Sequence, residues 1–273
     1  MYQSKFYLLY VMISISDIAT IFVNFWTTKV AFVEAWKPWF VANPWWITIG
    51  WLMSGYLIYF QSIIHVTIAL NRTWIAFDMH KKNSEGFEKL AKIGLYLLPF
   101  VPFAILSVRF AGTTLYKFDP DGEIFAVYVE PYVVSYHSTA GPAVVLSSSS
   151  ISFVLAMVTI FRYRYLYKLY NTMSSSMKRD ILLFGQAIVI LFFQFALAAY
   201  YIMRLFAPSI TSFALKYFDY VLDVGSLVNP FALLIISKTV RSDYINFFRR
   251  KQLKVITVTN TSVIQRRPTT KIM

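Results

Sequence analysis

WITIGWLMSGYLIYFQSIIHVTIALNRTW, residues Trp46–Trp74, decides how the rest of the chain is read. From Trp46 to Leu70 it has no charged side chain when His65 is neutral. At a helical rise of about 1.5 Å per residue, such a run crosses a hydrocarbon core of roughly 30 Å. It stops at Asn71-Arg72. Ser54, Gln61, His65 and Arg72 are spaced seven, four and seven apart, so a helix carries them on one face. Lipid gives no reason for polar groups to align. A helix with a polar seam belongs inside a bundle, with the seam turned toward other helices.

Composition agrees with this reading. The 273 residues are 58% hydrophobic, 19% aromatic and only 14% charged, where a soluble domain carries about 25% charge. The chain therefore reads as one polytopic membrane domain rather than a globular enzyme on an anchor. A net charge of +13 could suggest nucleic acid as a partner. The basic residues, however, sit between the apolar runs and in the tail, which points to membrane topology instead. The absence of cysteine excludes a disulfide framework, thiolate zinc sites and cysteine nucleophiles. Met1 leads almost directly into an apolar run, without the basic region and cleavage site of a removable signal peptide.

Six runs are long enough to span: Phe6–Trp26, Trp46–Leu70, Leu90–Ala111, Gly141–Phe161, Ile181–Met203 and Phe213–Ser237. Backbone groups find no partners in lipid, so these runs predict helices and an all-α, polytopic membrane helical bundle with six predicted spans. Pro99 and Pro102 predict a kink in the third. Alternate connecting segments, Met1–Lys5, Arg72–Lys92, Arg162–Arg179 and Lys238–Met273, hold 20 of the 26 basic residues. That places both termini in the cytoplasm and the segment Gly112–Ala140 outside. The sequons at Asn71 and Asn260 then face inward and stay unmodified. Residues 1–251 form the bundle, ending in a short amphipathic helix at 238–251 on the anionic inner leaflet. Residues 252–273 read as a disordered tail.

Three acids fall inside the runs: Asp17, and Asp219 with Asp223 at i and i+4. An ionised Asp at mid-bilayer costs at least ~2.5 kcal/mol, so such groups are buried and paired or functional. Asp17 lies about 16 Å from the inner end of its run, and Asn229 about 12 Å from the same side, so a polar contact between them is feasible. Asn229-Pro230 marks a local break in the last helix. Toward the outer side, Tyr56, Tyr59, Tyr200 and Tyr217 stand with Asp219 and Asp223 as candidates to line a small-molecule site. His65 reads as a satisfied bundle residue, and Ser147–Ser150 as small-residue helix packing. With three histidines and no H-E-x-x-H, G-x-S-x-G or phosphate loop, neither a metal, a cofactor nor enzyme chemistry is expected.

SISDIA (Ser14–Ala19), ALNRTWIAF (Ala69–Phe77) and NPFALLIISKTVRSDY (Asn229–Tyr244) bring a family into view. Their order and spacing resemble the nematode serpentine chemoreceptors, seven-helix G-protein-coupled receptors, and within them the gamma superfamily, class V. The resemblance implies a rhodopsin-like receptor architecture. It likens Asp17 to the second-helix Asp, Asn71-Arg72 to the motif ending the third helix and Asn229-Pro230 to the seventh-helix motif. Those residues would form the switch toward a heterotrimeric G protein. It also implies a small-molecule or peptide ligand on the outer side, and residence in the plasma membrane of sensory-neuron cilia. On this alignment Phe6–Trp26 corresponds to the second helix, and the family's first helix is missing. The competing readings are an ion channel or transporter that uses the intramembrane acids, and a truncated receptor that does not signal.

Overall fold

The computed structural model describes residues 2–78, 93–118, 124–170, 175–206, 220, 222–228, 231, 235 and 241–242. The chain divides into two compact units, Met1–Asn229 and Pro230–Met273. In the second unit, Arg241 Nη1 donates to the carbonyl of Ile235 at 3.3 Å. The expected interfacial helix at 238–251 and the tail beyond it otherwise lie outside the described residues.

The first helix, α1, spans Tyr2–Asn24. Its inward stripe is Tyr10, Ile13, Asp17, Thr20 and Asn24, all buried, while Ile15, Ile18 and Phe22 on the other side are exposed. Polar groups inside and bare apolar groups outside suit a helix that faces lipid with one side and a bundle with the other. The helix runs on through a π-helical turn, Phe25–Lys29, and a 3₁₀ turn, Val30–Phe32. A short helix, α2 (Lys37–Ala42), leads into α3, Pro44–Asp78. This is the opening stretch of the sequence, extended two turns beyond Leu70, because Asn71-Arg72 faces the bundle rather than ending the helix. It packs against both α1 and α5 (Pro131–Tyr170), which puts α3 at the centre. Where α1 crosses it, Gly50 gives way to Thr27; a Cβ there would lie 2.2 Å from the Thr27 methyl. Between α3 and α5, Thr73 Oγ1 meets Thr159 Oγ1 at 2.9 Å. Ser148, Ser149 and Ser152 are buried on α5.

The third span, Ile93–Ala111, is broken into a 3₁₀ turn (Leu98–Phe100), the short α4 (Val101–Leu106) and a second 3₁₀ segment (Ser107–Ala111). The break falls at Pro99 and Pro102, as their missing N–H groups require. Tyr56 on α3 donates to the Pro99 carbonyl at 3.0 Å.

One correction concerns the segment after this span. Gly112–Ala140 is not simply a loop: its last ten residues are the first turns of α5. The part before them is a hairpin of β1 (Thr114–Phe118) and β2 (Ile124–Tyr128), antiparallel, with Thr114 opposite Tyr128 and Phe118 opposite Ile124. The bundle is otherwise all-α. Helix α6, Ser175–Phe206, packs on α5 around Val145, Ala198, Tyr200 and Tyr201. Residues 222–228 are also helical. Among the described residues, four helices are long and apolar enough to cross a membrane, and α6 adds a shorter apolar stretch, Leu191–Met203. The last predicted run is described only in part.

Candidate functional site

Polar contacts are strung along α3 from its inner end to its outer end. At the inner end Arg72 is buried, and its Nη2 donates to the hydroxyl of Tyr10 on α1. Its guanidinium also lies over the Tyr10 ring, 5.9 Å from the centroid. Hydrogen bonds to charged groups are worth about 1.5–3 kcal/mol, enough to hold a guanidinium against the neighbouring helix. Asn71 beside it is half-buried in the helix, a placement unsuited to glycosylation.

Three turns further in, Gln61 Nε2 donates to Asp17 Oδ1 and to Thr20 Oγ1, both at 2.9 Å. Asp17 is buried. Of the four seam residues predicted on α3, Gln61 and Arg72 thus turn to α1. The expected Asp17–Asn229 contact, and the roles of Asn229 and Pro230, lie outside the described residues.

Toward the outer end, the π-helical turn Phe25–Lys29 matters. A π turn winds the chain back relative to an α-helix, and such turns are frequent at functional sites. Here Lys29, its last residue, forms an ion pair with Asp223. The Lys29 ammonium also sits 5.5 Å from the centroid of the Tyr220 ring. The candidate ligand acid Asp223 therefore already has a cationic partner.

The remaining ligand candidates fall in two places. Tyr56 packs on Phe103, with ring centroids 4.8 Å apart, and Tyr59 is buried beside Arg109. Tyr200 belongs to the apolar cluster between α5 and α6, against which Ile58 packs. Tyr217 and Asp219 lie outside the described residues.

Arg109, absent from the sequence-based candidates, is the most enclosed charge of the outer half among the described residues, 3% exposed. Its Nε donates to the Tyr128 hydroxyl at 2.6 Å, and its Nη2 to the Trp51 carbonyl at 2.8 Å. It fits because α3 has a glycine beneath it: a Cβ on Gly55 would stand 2.1 Å from Nη1. The rings of Trp51, Tyr128 and His137 close around, with centroids 5.0, 5.8 and 5.5 Å apart. Burial pushes the Tyr128 phenol above its ordinary value, against the opposing pull of Arg109. Tyr128 therefore stays protonated and supplies no negative charge.

The hairpin that carries Tyr128 is tied to the bundle at further points. Thr114 N–H donates to Thr48 Oγ1 at 3.0 Å, and the Thr48 hydroxyl faces the Thr114 carbonyl at 3.3 Å. Tyr116 donates to the Thr27 carbonyl at 2.8 Å. Glu130, just beyond, accepts the Thr113 N–H at 2.8 Å, and that bond holds its carboxyl below the usual range.

The structure is a bundle of apolar helices with polar contacts inside it and a hairpin capping one end. The sequence matches the family described as serpentine type 7TM GPCR chemoreceptor Srv over residues 1–250, and the chain belongs to that family. It is an integral, multi-pass membrane protein of the chemosensory receptor type. No curated protein matches it.

Proposed function

We propose that this receptor binds a small molecule among the outer ends of its helices and passes the event through α3 to a cytoplasmic heterotrimeric G protein. The observation that carries this reading is the arrangement along one helix. Gly55 and Tyr59 meet Arg109 near the outer end, Gln61 meets Asp17 midway, and Arg72 meets Tyr10 at the inner end. A rigid helix packed on several neighbours can serve as the two-state element that couples such distant sites. Family membership supports the plasma membrane, at sensory cilia, as the place of action. The two described intramembrane acids favour a receptor over an ion path. Asp17 holds a neutral amide and Asp223 an ammonium, at different depths.

Arg72 is the switch in this reading. Buried against Tyr10, it is placed for helix-to-helix contact rather than for reaching the headgroups. A planar guanidinium offers a donor fork that an ammonium lacks. The test is nucleotide exchange by co-expressed heterotrimeric G protein in membranes carrying the receptor. Wild type should raise exchange above receptor-free membranes. Arg72→Lys and Arg72→Ala should both reduce it at equal surface expression. Full activity of Arg72→Lys would leave Arg72 as a membrane anchor only.

A further inference from the structure

Lys29 and Arg109 lie toward the outer end of the bundle, and only Lys29 has a carboxylate among the described residues. Arg109 meets a phenol, a backbone carbonyl and aromatic rings, all of them uncharged. The neighbouring acid in sequence, Glu130, is engaged with the Thr113 N–H. A guanidinium has five N–H groups. One is on Tyr128 and one on Trp51. A cation removed from water without an anion is costly, and proteins rarely keep one without a use.

Resting on the receptor reading above, we propose that Arg109 anchors a carboxylate-bearing ligand whose apolar body packs among Trp51, Tyr59, Tyr128 and His137. The guanidinium fork matches a carboxylate in shape as well as in charge. Trp51, Tyr128 and His137 pack ring against ring beside it, and an aromatic body would extend that cluster. An amine finds a poorer reception, because Asp223 is already paired with Lys29. Tyr128 makes the hairpin part of the site, so an anion at Arg109 also bears on how firmly the cap is held.

The probe is benzoate, compared with benzamide and benzylamine at matched concentration and ionic strength, on the purified full chain in lipid nanodiscs. The readout is thermal unfolding followed by tryptophan fluorescence. Benzoate should raise the unfolding temperature by about 2–4 °C over benzamide. Arg109→Gln should abolish that difference, and Arg109→Lys, which keeps the charge for folding, should shrink it. Lys117→Gln, at an exposed hairpin cation, should leave it intact. Equal effects of benzoate and benzamide, or a benzoate effect that survives Arg109→Gln, would overturn the proposal. Stabilisation by benzylamine alone, lost in Asp223→Asn, would also overturn it while sparing the receptor reading. The receptor reading stands or falls separately, on nucleotide exchange.

Discussion

Arg109 and Gly55 are matched: the guanidinium occupies the volume that any other residue at position 55 would fill. Gly55→Ala should therefore press on a side chain fixed at Tyr128 and Trp51, rather than on a free chain end. Overpacking of this kind costs typically about 1–3 kcal/mol. We expect Gly55→Ala to lower the unfolding temperature, and to lower it far less in an Arg109→Gln background. A double-mutant cycle measures the coupling, and simple additivity would show that the contact is slack. At this scale the sequence was only partly legible. Asp17, Gln61 and Arg72 stand out because a polar group in an apolar run needs a reason. Lys29 and Arg109 do not, because basic residues near the outer ends of spans are ordinary. The available hint for Arg109 was a glycine on the opening helix, and that has meaning only once the two helices are placed side by side.

Among the elements, the π turn decides where Lys29 ends up. Each residue of an α-helix turns the chain by about 100°. Deleting Thr28 should restore regular winding and rotate Lys29 away from Asp223, and so should abolish the pair. Point changes test the same pair more gently. Asp223→Asn leaves the ammonium without its partner and should lower thermal stability. The exchange Lys29→Asp with Asp223→Lys should regain most of the loss. If the exchanged receptor is no more stable than either single variant, the pair contributes nothing beyond its separate side chains. No sequence rule announces a π turn, so this element was invisible beforehand. The hairpin was not. TLYKF and IFAVY flank Asp119-Pro120-Asp121-Gly122-Glu123, which holds a Pro-Asp-Gly turn sequence with a mechanism behind it. The helices were legible because apolar length and polar seam agree, whereas their ends were not. Asn71-Arg72 reads as a stop, yet the helix carries on to Asp78 to bring Arg72 against Tyr10.

For the whole molecule, the distribution of charge predicts an orientation. Basic residues crowd the segments Arg72–Lys92 and Arg162–Arg179, and the hairpin lies on the opposite side. An epitope inserted between Asp121 and Gly122 should be reached by antibody on intact cells, and one at Met273 only after permeabilisation. The reverse pattern would invert the topology and with it the assignment of outer and inner ends. The cap itself is fastened without a covalent cross-link. Thr48 with Thr114, Tyr116 with Thr27 and Arg109 with Tyr128 are all hydrogen bonds, and the chain has no cysteine to stitch the hairpin down. The neutral ones contribute only about 0.5–1.5 kcal/mol each and the Arg109 bond about 1.5–3 kcal/mol, and all of them re-form on their own. The fastening is thus indifferent to redox conditions. A reducing agent that would spring the cap of a disulfide-locked receptor leaves this one closed, and production in a reducing cell-free lysate needs no oxidative refolding.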